Sequence, residues 1–197
     1  KRWSRDMAYV LGFFAADGYM WKSGRGAYFF GFQINDRRLL QEIRRVLSST
    51  HKIAKRRRKV INPAWGHSYR LQIGSKEMFD DLLRLGMTPV KSSTLMFPQV
   101  PETYFGDFVR GYFDGDGNVY FKKHFSKGKG KKVWVFTSAF TSGCKDFLES
   151  LLQKLRARGA QGGFIVSKHH DSGYDLVFSR HDSVALSRLM YHNADTR

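Results

Sequence analysis

The chain contains one cysteine among its 197 residues. A lone cysteine, Cys144, excludes an intramolecular disulfide and any zinc site built from several cysteines. Long apolar runs are also missing, since no stretch approaches the roughly 18 residues of a membrane span. No apolar signal-peptide core follows the first four residues. We therefore expect an intracellular protein without a membrane segment or a secretion signal, in the cytoplasm or in an organellar matrix.

Acidic residues are scarce relative to basic ones. The sequence has 17 Asp and Glu against 34 Lys and Arg, which gives a net charge of +17. Such an excess predicts a polyanionic partner. The 17 Phe and four Trp argue against a disordered basic tail, because such tails lack apolar bulk. The length suffices for one large domain or two small ones with a substantial core.

Two stretches of the chain look like copies of each other. One is VLGFFAADG at residues 10–18, and the other is VRGYFDGDG at residues 109–117. In each, small residues four apart share one helix face, which lets another helix backbone approach closely. These small residues are Gly12 and Ala16 in the first copy and Gly111 and Gly115 in the second.

Each copy ends in Asp-Gly. We expect Gly18 and Gly117 to close the two helices in the left-handed conformation, which would bring the carboxylates of Asp17 and Asp116 side by side. Two adjacent carboxylates repel unless a cation lies between them, and oxygen ligands suit a hard cation such as Mg²⁺. Packing and ordinary turns are the alternative explanation for these residues. A calcium loop opening at Asp114 is excluded, because the positions that need Gly and Glu hold other residues.

The paired stretches resemble the signature of the LAGLIDADG homing endonucleases, in the single-chain type that carries two copies. Ala15 departs from the signature, which has an acid at that position, whereas Asp114 keeps it. The resemblance covers nearly the whole chain. It implies an α+β fold of two pseudo-symmetric αββαββα halves, each with a curved antiparallel sheet. The halves would join at a two-helix interface and form a DNA-binding saddle.

Hydrophobic periodicity and turn residues predict the same order of elements in both halves. The first half, residues 1–86, has predicted helices at about 5–16, 37–47 and 76–85 and strands at 19–22, 28–34, 51–60 and 68–73. A linker at residues 87–101 holds three of the four prolines and should be extended. The second half, residues 102–197, has predicted helices at 102–115, 144–158 and 182–191 and strands at 118–123, 133–141, 164–168 and 174–178. It ends early, which leaves open whether the native C-terminus is present.

The resemblance also implies a chemistry. Asp17 and Asp116 would hold Mg²⁺, with Ala16 and Gly115 in the same metal site, and water would be the nucleophile. Ca²⁺ would replace Mg²⁺ without supporting cleavage. By its position after the third helix, Lys91 matches the catalytic lysine of the family.

The predicted hairpins supply the candidates for DNA contact. Every second side chain of a strand points to the free face of its sheet, and a two-stranded ribbon fits the DNA major groove. Most lysines would touch phosphate, and a solvated surface is the alternative for the basic run at residues 55–59. The candidates are Lys22, Arg25, Gln33, Lys55, Arg57, Lys59, Arg70, Gln72, Lys122, Lys129, Lys131, Trp134 and Lys168.

Three functions fit this sequence. The leading hypothesis is a monomeric, site-specific endonuclease that cuts both strands of a long asymmetric DNA target. The alternatives on the same fold are an RNA-binding intron maturase, whose partner would be its own intron RNA, and a DNA-binding regulator that does not cleave. Retention of both Asp17 and Asp116 favours cleavage.

Overall fold

The structure is a computed structural model that describes residues 2–56, 67–168 and 173–191. The αββαββα order predicted for each half is confirmed. The first half comprises α1 (Arg5–Asp17), β1 (Gly18–Lys22), β2 (Tyr28–Ile34), α2 (Arg37–Val46), β3 (Ile53–Arg56), β4 (Ser68–Gly74) and α3 (Lys76–Arg84). The rest comprises a short α4 (Lys91–Thr94), then α5 (Phe105–Asp116), β5 (Gly117–Ser126), β6 (Lys131–Ser142), α6 (Lys145–Arg156), β7 (Phe164–Ser167), β8 (Tyr174–Ser179) and α7 (Arg180–Tyr191).

Each half contributes one four-stranded antiparallel sheet. The strand orders are β1-β2-β4-β3 and β5-β6-β8-β7, so the two sheets have the same topology. Gly18 pairs with Phe32 in the first sheet, and Gly117 pairs with Phe140 in the second. This equivalent register confirms an α+β fold built from two similar halves.

Side-chain caps explain where several helices begin. Ser4 accepts a hydrogen bond from the backbone N–H of Met7, and Asp36 accepts two from the first turn of α2. Such caps satisfy backbone donors that have no partner within the helix. The predicted linker differs from expectation, because it contains α4 and buries Met87 and Leu95 in the core. The division of the chain at residues 86 and 102 stays a prediction.

The core lies between the helices and the inner face of each sheet. Phe14 on α1 packs edge-on against Phe32, with ring centroids 5.5 Å apart. In the second half Phe113 makes the same contact with Phe140, at 5.2 Å. Burying a phenylalanine side chain contributes about 1.5–3 kcal/mol, so these aromatic contacts fix each motif helix to its own sheet.

The glycines that follow the two motif helices do not have the predicted left-handed conformation. Gly18 has φ −72° and ψ 156°, and Gly117 has φ −90° and ψ 159°, both in the extended region. Glycine is required at both positions because a side chain would not fit. A Cβ at Gly18 would lie 2.2 Å from the ring of Phe14, and one at Gly117 would lie 2.3 Å from the ring of Phe113. Each strand therefore leaves its helix directly beneath an aromatic ring.

The β5–β6 hairpin is longer than predicted. The strands extend to Ser126 and begin again at Lys131, so residues 127–130 connect them. Among the described residues, no helix is long and apolar enough to cross a membrane.

Candidate active site and nucleic-acid interface

The motif helices α1 and α5 touch through their backbones. A Cβ at Gly12 would lie 2.0 Å from the carbonyl oxygen of Phe108. A Cβ at Gly111 would lie 2.0 Å from the carbonyl oxygen of Tyr9. Any side chain at either position would therefore collide with the facing backbone. The close helix contact predicted from the small residues is present.

The same packing brings the acidic ends of the helices together. A Cβ at Gly115 would lie 2.5 Å from the Cβ of Ala16 and 3.4 Å from Oδ2 of Asp17. Asp116 follows Gly115, so the carboxylate of Asp17 lies beside the residue that precedes the second acid. Asp17 is exposed and Asp116 is partly buried. The C-termini of the two motif helices thus lie side by side.

The donor set of this region suits a hard divalent cation. Asp17 and Asp116 offer carboxylate oxygens, and the close contact of Ala16 with Gly115 places the helix ends that carry them side by side. In the described part of the chain no three His, Cys, Asp or Glu residues form a metal-binding group. Mg²⁺ commonly uses one or two carboxylates and completes its shell with waters and substrate phosphates. The carboxylates of Asp17 and Asp116 are ligands of the kind that such a Mg²⁺ site uses.

Tyr112 lies behind the acidic ends, where it has a structural role. Burial raises the pKa of its hydroxyl above the ordinary value, and the charge of Asp116 raises it further. The hydroxyl donates a 2.7 Å hydrogen bond to the carbonyl oxygen of Thr141. Tyr112 therefore stays protonated near neutral pH and ties α5 to β6.

Asp114, the earlier acid of the second motif, has partners of its own. Its carboxylate accepts hydrogen bonds from the hydroxyl of Tyr9 at 3.0 Å and from that of Tyr191 at 2.8 Å. The guanidinium of Arg110 lies 4.7 Å from the ring centre of Tyr9 and pairs with Asp107 at 3.7 Å. Asp114 thus links α1, α5 and α7. The sequence identified this acid by its motif position but gave no sign of its two tyrosine partners.

The structure describes three of the predicted site residues only in part or not at all. Lys91 begins α4, but its side chain lies outside what the structure describes. Arg57 and Lys59 lie in residues 57–66, also outside the described residues. The roles of all three stay predictions.

The free face of the first sheet carries three of the predicted DNA contacts. Phe32 and Leu71 are buried against the helices, so Gln33, Arg70 and Gln72, which alternate with them, point to the other face. Gln33 and Arg70 are register partners, and Arg70 donates a hydrogen bond to the side-chain carbonyl of Gln72.

The same face holds residues that sequence reasoning missed. Trp21 stacks on Phe29 with ring centroids 4.8 Å apart, and Arg56 extends the basic surface from β3. The hydroxyl of Tyr19 is buried and has no hydrogen-bond partner among the described residues. Burial raises its pKa, while Arg70 and Arg56 lower it. Alternation from the buried Phe30 would have placed Phe29 on this face, and alternation from the buried Met20 would have placed Trp21 there.

The remaining predicted contacts of the first half lie at its margins. Lys22 and Lys55 alternate with the free-face residues, so they share the helix side of the sheet with Met20 and Ile53. The Nζ of Lys22 lies 5.1 Å from the ring centre of Tyr28. Arg25 is exposed in the turn between β1 and β2.

The predicted DNA-contacting residues of the second half lie on both faces of its sheet. Lys122 and Lys131 are on the free face, and Lys129 lies in the turn at the end of the hairpin. Trp134 has the parity of the buried Phe140, so it lies on the helix side, where it stacks on Phe121 at 4.5 Å. The sequence left open which face Trp134 takes, and its role as a DNA contact stays a prediction. Lys168 follows β7 and lies 3.8 Å from the carboxylate of Asp175.

Comparison with known proteins agrees with this geometry. Residues 4–85 match the family model described as a LAGLIDADG-like domain. Among solved structures, the meganuclease I-SmaMI bound to uncleaveable DNA is similar with a TM-score of 0.64 and 13% identity, over 98% of this chain and 83% of that chain. The I-LtrWI LAGLIDADG homing endonuclease bound to target DNA is similar with a TM-score of 0.61 and 12% identity, over 96% and 83%.

A further structure, I-SmaMI bound to an uncleaved DNA target in the presence of calcium ions, is similar with a TM-score of 0.62 and 13% identity, over 96% of this chain and 85% of that chain. No curated protein sequence matches the chain. At these identities the solved structures establish the fold. The resemblance to the LAGLIDADG family and the two-half saddle are thereby confirmed.

Proposed function

We propose that this chain, which has the two-half LAGLIDADG fold, is a DNA endonuclease that hydrolyses both strands of a long, asymmetric duplex site. The observation that carries the proposal is the position of the Asp17 carboxylate, 3.4 Å from a Cβ built at Gly115, the residue before Asp116. Acids brought together at the ends of two tightly packed helices suit phosphodiester chemistry better than they suit packing, because close carboxylates repel.

The chain's own residues hold and orient the reacting groups. A divalent cation bound at Asp17 and Asp116 would lower the pKa of a bound water and stabilise the attacking and leaving oxygens. The glycine contacts between α1 and α5 fix the two acids relative to each other. We assign Mg²⁺ to this site because two carboxylates, waters and phosphate oxygens form the shell that it prefers. Lys91, at the start of α4, is the proposed source of positive charge near the phosphate.

Charge and fold support a duplex partner. The chain carries a net charge of +17, and structures named as homing endonucleases with bound DNA have the same fold. One copy of the chain contains both sheets, so one copy is enough to cover both halves of a site. We therefore expect a monomer on DNA. An asymmetric target follows, because the two free faces carry different side chains.

Asp17→Asn and Asp116→Asn test the assignment. Each variant should lose more than about 100-fold in cleavage rate, which is the upper end for residues that only support a metal ligand. Duplex affinity should stay within about threefold of the original. The substrate is a duplex recovered from a randomised library in Mg²⁺, and binding is measured in Ca²⁺. Asp81→Asn is the matched control, because Asp81 is an exposed carboxylate on α3 that pairs with Arg84.

The outcomes separate the candidate functions. Normal cutting of both strands by either aspartate variant would contradict the site assignment. Specific duplex binding without cleavage by the original chain would favour the DNA-binding regulator. Tighter binding to intron RNA than to any duplex would favour the maturase.

A further inference from the structure

The two free faces differ in chemistry, and the difference bears on which base pairs each can read. The first free face consists of the side chains of β1–β4 that point away from the helices. The second free face is the equivalent set on β5–β8. The first includes the large side chains of Tyr19, Trp21, Phe29, Gln33, Arg56, Arg70 and Gln72. The second includes Tyr120, Lys122 and His124 on β5 and apolar residues such as Val135, Phe164 and Val177 on β6, β7 and β8.

The first free face offers guanidinium and amide groups. Gln33 and Arg70 are direct register partners across β2 and β4, and Arg70 is linked to Gln72 on its own strand. Arginine pairs with two acceptors of guanine in the major groove, and glutamine pairs with the donor and acceptor of adenine. The centre of this face is therefore equipped to distinguish purines by hydrogen bonds.

Apolar side chains line the part of the second free face formed by β6, β7 and β8. Ala139, Val177 and Phe164 form one register row across these strands, in which Ala139 is 3% exposed and Phe164 is 57% exposed. Val133 and Val135 occupy alternate positions along β6. Methyl and phenyl groups make favourable contact with the C5-methyl group of thymine, but they satisfy no donor or acceptor of a G·C pair.

The acid on the second free face is already engaged. Asp175 accepts a 2.6 Å hydrogen bond from the hydroxyl of Thr141, and Lys168 lies 3.8 Å from the same carboxylate oxygen. Both contacts are to Oδ1, and they hold this carboxylate against Thr141 and Lys168. Lys131 lies at the far end of the hairpin, where phosphate contact sets position and not sequence, whereas Lys122 pairs with Val135 midway along it.

We infer that the two half-sites of the target differ in composition. The half-site under the second free face is rich in A·T pairs and is read through thymine methyl groups. The half-site under the first free face contains purines specified by Arg70, Gln33 and Gln72, including guanine. This inference rests on the proposed DNA-binding function. A G·C pair opposite the apolar row lacks the thymine methyl group, and loss of that contact should weaken binding about tenfold per pair.

Equilibrium selection from a randomised duplex library in Ca²⁺ tests the inference. The expected consensus has one half-site in which G·C pairs are depleted and another that retains guanine positions. Arg70→Ala should relax only the guanine-containing half-site. Val135→Gln should change a preferred thymine to adenine only in the A·T-rich half-site. Val135→Thr, which keeps a methyl group, and Trp134→Gln, on the helix side of the same strand, should both preserve the original consensus.

Two kinds of failure are distinguishable. If the original chain enriches no duplex, the proposed function fails and the inference fails with it. If duplexes are enriched but both half-sites contain similar G·C content, or Val135→Gln alters the half-site that responds to Arg70→Ala, the inference alone is overturned. The proposed cleavage in Mg²⁺ would not be contradicted by that result.

Discussion

Asp114 and Ala15 occupy equivalent positions in the two motif copies, and their surroundings explain why they differ. Ala15 is 3% exposed, so a carboxylate there would be buried within the core. Asp114 is exposed and receives hydrogen bonds from Tyr9 and from Tyr191 on α7. An isolated charge costs too much to bury, whereas an exposed and hydrogen-bonded charge is stabilising. The departure of Ala15 from the family signature is therefore a matter of packing.

The first residue-scale prediction concerns Asp114→Asn. We expect this variant to cleave within a few-fold of the original chain and to lose about 1 kcal/mol in free energy of unfolding, because two hydrogen bonds to a charged group become neutral. Urea unfolding and a cleavage assay measure the two effects. A folded Asp114→Asn protein that no longer cleaves would place Asp114 in the chemistry and contradict its structural role.

A pH dependence follows from the same cluster. Burial raises the pKa of Tyr9 and of Tyr191 above the ordinary value, and Asp114 raises both further. The folded protein therefore keeps these hydroxyls protonated where the unfolded chain ionises. Their stabilising contribution is complete below about pH 10 and declines as the pH rises through the folded pKa values. Tyr191→Phe should show a shallower alkaline loss of stability than the original chain, as followed by urea unfolding between pH 8 and pH 11. Equal slopes would exclude this linkage.

At the scale of elements, the α1–α5 contact depends on glycine, which has no side chain. A Cβ at Gly111 would lie 2.0 Å from the carbonyl oxygen of Tyr9 and 2.9 Å from the backbone nitrogen of Phe13. Backbone atoms cannot rotate away as a flexible side chain can. Both helices would have to separate, and the acids at their ends would separate with them.

Gly111→Ala should accordingly destabilise the protein by more than about 3 kcal/mol, the upper range for overpacking a core. Urea unfolding provides the measurement. Gly128→Ala is the matched control, because a Cβ at Gly128 meets nothing within 4 Å. A stability loss below about 1 kcal/mol for Gly111→Ala would contradict a backbone contact at this position.

The elements themselves were largely predictable because local signals agree with the fold. Alternating apolar residues located the strands, Ser4 and Asp36 located helix starts, and the repeated small residues located the helix interface. The conformation of Gly18 was not predictable, since it depends on where the ring of Phe14 lies. The register of the strands could not be predicted from the sequence either. The face of Trp134 follows from pairing along the whole β5–β6 hairpin, whose length the glycines and lysines near its turn concealed.

An affinity comparison checks these strand faces. Arg70→Ala should weaken duplex binding about tenfold, because it removes a charged donor from the first free face. Trp134→Ala should leave affinity within about twofold, because the ring packs on Phe121 on the opposite side of its sheet. Fluorescence anisotropy on the selected duplex measures both. Equal losses for the two variants would mean that the face assignment of one strand is wrong.

Across the whole molecule, charge is divided between helices and sheets. Among the strands that the structure describes, Asp175 is the sole acidic residue. Some acids on the helices are paired with basic neighbours, as in Lys76–Asp80 on α3 and Lys145–Glu149 on α6. Such surface pairs contribute little stability, but they offset positive charge on those two helices. The described strands, in contrast, carry many basic side chains and a single acid.

This division makes a quantitative prediction about salt. If six or more phosphates are neutralised, affinity should fall by about 10³-fold or more between 50 and 200 mM salt, with a slope near −0.9 per phosphate contact. Replacing Lys129 and Lys131 together with alanine should reduce the slope by about two contacts. Replacing Lys76 and Lys145, which are paired on helices, should leave it unchanged. Anisotropy titrations across this range, at constant Ca²⁺, measure each slope. If replacing the two helical lysines altered the slope as much as replacing the two hairpin lysines, positive charge would not act through the sheets. That result would contradict duplex binding by the free faces.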